Sequence, residues 1–169
     1  MNRFHNIFHL ITHTSYNIRK TRRTIMATED TIHLLKECDA GTKMGVVSID
    51  DVLDIVKDET LKKLLTESKD HHSKLGNDLH SLLNEYGSEE KDPNPIAKGM
   101  SWFKTNIKIT MKNSDSTIAD LITDGCDMGV KSLHKYMNQY RNADKKAVDI
   151  CKRLISIEED LRDKLRVYL

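Results

Sequence analysis

The chain has 169 residues, 31% of them charged and 5% aromatic, with a mean hydropathy of −0.56 and a net charge of +1. That length suits one domain with an adequate core, and the composition favours a helix-rich protein over a β-sandwich. No apolar run approaches the ~18 residues needed to cross a bilayer. The three cysteines, Cys38, Cys126 and Cys151, lack C-x-x-C spacing, which counts against a disulfide framework or a structural zinc site. Free, buried thiols in a cytoplasmic setting are the expectation.

Residues 1–25 differ from the rest. They contain no Asp or Glu, but hold Arg3, Arg19, Lys20, Arg22 and Arg23 with His5, His9 and His13. A mitochondrial-type presequence and a basic arm for nucleic acid or anionic membrane both fit. The favoured reading is an upstream extension ahead of a start at Met26, because a bundle over 26–169 needs nothing before it. Without those five cations, 22 basic residues face 26 acids. A mildly acidic domain gives no support for nucleic-acid binding.

Apolar steps of three and four predict helix one from about Asp30 to Val56, through Leu34 or Leu35, Cys38, Thr42, Val46, Ile49, Leu53 and Val56. Lys57 to Thr60 is a break in which Asp58 suits an N-cap. Helix two runs from Glu59 to about Tyr86 on the seam Leu61, Leu65, Ser68, His72, Leu75, Leu79 and Leu82, so one and two form an antiparallel hairpin. Gly87 suits the residue after a helix C-terminus, and the stretch from Ser88 to Pro95 holds both prolines and reads as a loop.

A shorter amphipathic segment follows, with Ile96, Met100, Phe103, Ile107 and Met111 on one face, Trp102 beside them, and Lys98, Lys104, Lys108 and Lys112 opposite. About 16 helical residues span ~24 Å, enough to cross a bundle from end to end. A membrane-surface role for this 96–111 segment is the sharper alternative. Helix three starts near Ser116, its expected N-cap, and continues through Ile118, Ile122, Cys126, Val130, Leu133, Met137 and Tyr140. After a turn at 142–144, helix four follows Val148, Cys151, Leu154, Leu161, Leu165 and Tyr168 to the C-terminus.

The motif C-D-x-G-x-K occurs twice, at Cys38–Lys43 and Cys126–Lys131, 88 positions apart. It suggests a duplicated helical hairpin, with Gly41 and Gly129 allowing helices one and three to approach closely. The expected fold is all-α: a ferritin-like four-helix bundle of two hairpins joined by a long crossover, with helices two and three parallel. The chain resembles a family of uncharacterised bacterial ferritin-like bundle domains over about Thr31 to Tyr168. The resemblance rests on Leu34-Leu35 with Gly41-Thr42-Lys43, on Lys57 to Leu61, on the Gly87 loop and on the 96–111 segment with Trp102. It implies a bundle fold and an open biochemical role. The family carries a helix-one glutamate beside the glycine, where this chain has Thr42.

Ferritin-type iron sites need an E-x-x-H pair on each of two helices. Here only Asp30/His33 has an acid three residues before a histidine, at a helix start. A weaker set comes from counting outward from each turn: Asp39, Asp78, Asp127 and Glu158 could form a mid-bundle carboxylate layer for a hard divalent cation such as manganese, or for iron. The competing expectation pairs these acids with Lys43, Lys131 or Lys36. His72 and Ser68 read as hydrogen-bonded core residues, and Glu67, Asp70 and His71 as a charged surface. No nucleophile elbow, phosphate loop or triad spacing is present. The expected function is a non-catalytic structural or protein-interaction module, homo-oligomeric or bound to another protein and without a cofactor. The alternative is divalent-metal (iron or manganese) binding or storage.

Overall fold

The computed structural model describes residues 29–88 and 114–169, all of them in helices, turns and caps with no strand among the described residues. The basic extension, the first residues of the 26–169 bundle and the 96–111 segment lie outside the described residues, at least in part. The described residues form four long helices: α1 over 29–53, α2 Glu59–Glu85, α3 Asp115–Gln139 and α4 Lys145–Leu165, the last followed by a 3-10 turn at Arg166–Tyr168.

The caps explain the boundaries. Asp58 Oδ1 accepts from the Leu61 N–H at 2.7 Å, and Asp144 Oδ1 from the Ala147 N–H at 2.8 Å. Each satisfies an amide that the first helical turn leaves open. At the end of α2, the Gly87 N–H donates to Asn84 O and the Ser88 N–H to Leu83 O. Gly87 adopts φ +66°, the left-handed conformation this closure requires. The N-cap of α3 is Ser114, not Ser116 as expected; its side chain accepts from the Thr117 N–H.

Cross-helix contacts fix the directions. Lys69 pairs with Asp50 and Arg162 with Asp127, so each hairpin is antiparallel. Between hairpins, His72 meets Glu158, Asp78 meets Arg153 and Glu85 meets Lys146, so α2 and α4 are antiparallel neighbours. His33 stacks on Tyr140 at one end, while the Lys57 N–H donates to Asp115 at the other, so α1 and α3 are antiparallel too. It follows that α2 and α3 point the same way, on one diagonal of the bundle. On the other diagonal, α1 and α4 run parallel through Thr31 with Asp144 and Gly41 with Leu154.

The turn within each hairpin is held by the opposite hairpin. Asp115, at the start of α3, accepts from the Lys57 and Asp58 N–H groups at 2.9 and 2.8 Å. Asp30, at the start of α1, accepts from the Asn142 N–H at 2.9 Å, and Thr31 Oγ1 accepts from the Asp144 N–H at 2.8 Å. Asp30 and Asp115 are 85 positions apart, as are Lys57 and Asn142. The duplicated motif is 88 apart, so its copies sit about one helical turn out of structural register. Consequently Asp39 is buried and Asp127 exposed, against the expectation that they are equivalent.

The core is divided. One cluster gathers Leu34, Leu35, Cys38, Leu75, Leu79, Cys151 and Leu154; the other gathers Ile49, Val52, Leu61, Leu65, Ile122, Cys126 and Leu161. All seven seam positions expected on α2 are buried. On α1 the expected Leu34, Leu35, Cys38, Thr42 and Ile49 are buried, but Val46 and Leu53 are only half-buried, and Val52 is buried in place of Leu53. Between the clusters lies a polar level made by Thr42, Ser68, His72 and Glu158, and the site is built there.

Candidate binding cleft between α1 and α3

His72 stands on the inner face of α2 and is 1% exposed. Its Nδ1 lies 2.8 Å from the Ser68 carbonyl, one turn earlier, and its Nε2 lies 3.2 Å from Glu158 Oε1 on α4. A carbonyl oxygen only accepts, so Nδ1 carries a hydrogen and donates. Nε2 then faces a carboxylate, which is satisfied only if the pair shares one further proton. Burial alone would lower the His72 pKa; the Glu158 hydrogen bond and charge, with the Ser68 carbonyl, outweigh it and raise it above 6.5. The carboxylate beside the ring therefore favours its protonated form more than burial disfavours it.

Glycines make room for it. A Cβ on Gly45 would stand 2.6 Å from His72 Cδ2, and one on Gly129 would stand 3.3 Å from Glu158 Oε1. A Cβ on Gly41 would meet Leu154 Cδ2 at 3.2 Å, while one on Gly125 would meet nothing within 4 Å. Contrary to the sequence expectation, the glycines therefore do not bring α1 and α3 into close contact. His72, Glu158 and Leu154 fill the space beneath them and hold the two helices apart. The result is a cleft of about 230 Å³. Ile49, Ile122, Leu133 and Leu161 supply apolar walls, and Glu37, Met44, Met128 and Tyr136 complete the lining. Among the described residues no Lys or Arg lines it.

Nearby groups are held in their neutral forms. Burial, then the Glu158 charge and hydrogen bond, push the Cys126 thiol far up. The Cys38 thiol is pushed up by its hydrogen bond with Cys151 and by burial. Burial and the neighbouring Glu37 raise Tyr136. A thiol held protonated is a poor nucleophile, so neither Cys38 nor Cys126 is poised for covalent chemistry; Cys151, buried beside Cys38, is shifted the other way by that hydrogen bond. Ser68 Oγ is buried without a hydrogen-bond partner.

The four expected carboxylates have separate partners. Asp39 pairs with Lys43 at 2.9 Å, Asp78 with Arg153 at 2.9 Å, Asp127 with Arg162 at 3.0 Å and Glu158 with His72. They do not gather into one layer, and no group of three or more His, Cys, Asp or Glu suited to a metal occurs among the described residues. The lysine expected for Asp39 is the one found, whereas Asp127 takes Arg162 rather than Lys131. Thr42, where the resembled family has glutamate, is buried and donates to the Asp39 carbonyl at 2.9 Å. Among the described residues no helix is long and apolar enough to cross a membrane. Comparison with protein-family models, curated proteins and solved structures finds no match to this chain.

Proposed function

We propose that this chain is a non-catalytic ferritin-like helical bundle that serves as an interaction module, and that its contact site is the cleft between α1 and α3. The observation that carries this reading is the cleft itself: about 230 Å³ walled by four glycines, over a buried and internally satisfied His72–Glu158 pair. Both ring nitrogens of His72 are engaged, and the neighbouring thiols are held protonated, so the site is suited to holding a group and not to transforming one. The ferritin-like part is supported by two hairpins whose second and third helices run in parallel. The three free, buried cysteines suit a reducing, cytoplasmic setting.

The direct test is an amide NMR titration of the full chain with a mixed set of small neutral, anionic and cationic aromatic probes. The expected result is a cluster of shifted amides at Gly41, Gly45, Gly125 and Gly129; shifts scattered elsewhere would remove the cleft as the contact site. Self-association is read by sedimentation velocity, and a strict monomer at high concentration leaves another protein as the partner. Elemental analysis checks the divalent-metal alternative: stoichiometric iron or manganese, lost in Asp39→Ala or Asp127→Ala, would overturn the proposal.

A further inference from the structure

We propose that Cys38 and Cys151 form a redox-active dithiol, which hydrogen peroxide converts to a disulfide that ties the first hairpin to the second through the core.

Register brings the two thiols together. Because α1 and α4 run parallel with the same rise, a constant difference in residue number marks positions at one level. Thr31 Oγ1 accepts from the Asp144 N–H at 2.8 Å, across 113 positions. Gly41 and Leu154, where a Cβ on the glycine would stand 3.2 Å from Leu154 Cδ2, have the same separation. So have Cys38 and Cys151, which lie between those two contacts on the same faces of their helices. Both are fully buried in one core cluster and are hydrogen-bonded to each other. Cys126 belongs to the other cluster, with Glu158 as its neighbour, and is kept apart from the pair.

The two thiols are not equivalent. Cys38 donates to Cys151, and Cys151 donates to the Leu133 carbonyl at 3.9 Å. The bond from Cys38 favours a thiolate on Cys151 against the opposing effect of burial, and it holds the proton on Cys38. Cys151 is therefore the nucleophile and Cys38 the resolving thiol. The Cys151 thiolate attacks one peroxide oxygen and the O–O bond breaks. The leaving hydroxide takes the proton that Cys151 gave up and becomes water, and Cys151 carries a sulfenic acid. With that thiolate consumed, the main cause holding Cys38 protonated is gone. The Cys38 sulfur then attacks Cys151 Sγ, the S–O bond breaks, and the departing hydroxide takes the Cys38 proton as a second water. Two thiols are oxidised to one disulfide, and one peroxide is reduced to two waters.

The cleft supplies the route. Leu133, whose carbonyl faces Cys151, and Leu154, one turn beyond Cys151, both line it. A peroxide at the cleft floor is thus about one helical turn, ~5 Å, from the thiols. Closing an S–S bond of ~2.05 Å requires α1 and α4 to approach. Gly41, one turn after Cys38, bears no Cβ to stop Leu154, and Ala147, one turn before Cys151, adds only a methyl.

The test treats the full folded chain with hydrogen peroxide, denatures it in the presence of a maleimide, and reads intact mass and a peptide map. The parent should carry one maleimide, on Cys126, where the untreated chain carries three, and should yield a Cys38–Cys151 crosslinked peptide that dithiothreitol releases. Cys38→Ala should stop at a sulfenic acid on Cys151, captured by dimedone, and Cys151→Ala should leave Cys38 unreacted over the same time. Circular dichroism checks that each variant is folded, and the parent chain decides the matter without them. A disulfide that includes Cys126, equal loss of all three thiols, or three thiols that persist at a peroxide concentration that oxidises the chain in urea would each overturn the proposal.

Discussion

Replacing Gly45 by alanine tests whether the polar level is held by close packing against α1. In an ordinary helix interior the change gains about 1 kcal/mol, because alanine has the better helix propensity. Here the new methyl would lie 2.6 Å from His72 Cδ2 and 2.8 Å from Nε2. The ring cannot retreat without leaving the Ser68 carbonyl at 2.8 Å and Glu158 at 3.2 Å. Overpacking a filled core costs about 1–3 kcal/mol. Breaking hydrogen bonds in a buried, charge-assisted pair costs about 1–3 kcal/mol more. Set against the propensity gain, the expected net loss is about 1–5 kcal/mol, and for a chain of this size each kcal/mol lowers Tm by about 2–4 °C. Urea denaturation followed by far-UV circular dichroism measures it. Gly125→Ala, where the methyl meets open space, should instead gain about 1 kcal/mol. In a His72→Ala background the penalty at Gly45 should vanish, because the atoms it would strike are gone. A Gly45→Ala protein as stable as the parent would refute the reasoning.

Three further outcomes are expected. His72 has a raised pKa, so the stability its protonation contributes is fully present below pH 6.5 and is lost as pH rises through the folded value. The urea midpoint should therefore fall on the alkaline side of 6.5, and Glu158→Gln, which removes the largest raising cause, should flatten that fall; a flat parent profile would contradict the pair. Asp115→Ala leaves the Lys57 and Asp58 N–H groups without their carboxylate and should cost about 1–2 kcal/mol in the same assay, with Asp115→Asn recovering part of it. Gly87→Ala forces a side chain into φ +66° and should cost about 1 kcal/mol, whereas a neutral result would mean the α2 terminus relaxes freely.

The hairpins were legible because each is a local problem. Every position that strict four-and-three spacing placed on the α2 seam is buried, His72 and Ser68 included, though Leu83 is buried as well, and Asp58 announced the start of that helix. What required the structure was the relation between hairpins. Counting outward from a turn places Glu158 level with Asp127, but the rotation of α4 aims its side chain at His72 on the first hairpin. No spacing within one helix encodes that rotation. The duplicated motif misled for a related reason. Identical residues invite an equivalence, yet the turn contacts align the halves at 85 positions and not at 88. Asp39 is thus drawn inward beside Lys43, while Asp127 faces solvent beside Arg162. The cleft does have a signal in the sequence. Small residues on both facing helices, Gly41, Gly45, Gly125 and Gly129, mean contact only if nothing larger enters between them. Here the opposite pair of neighbouring helices, α2 and α4, supplies His72, Leu154 and Glu158.

The reciprocal turn contacts act as a ruler for the bundle. Coiled-coil-like helix packing tolerates sliding, since a displacement of one turn, ~5.4 Å, returns a similar apolar face to a similar groove. A slip of that size between these hairpins would pull Asp115 off the Lys57 and Asp58 amides at one end and Asp30 and Thr31 off the Asn142 and Asp144 amides at the other. Both ends must be right together or neither is satisfied. The two halves thereby read each other's length, and the level at which His72 meets Glu158 is set by contacts at the far ends of the molecule.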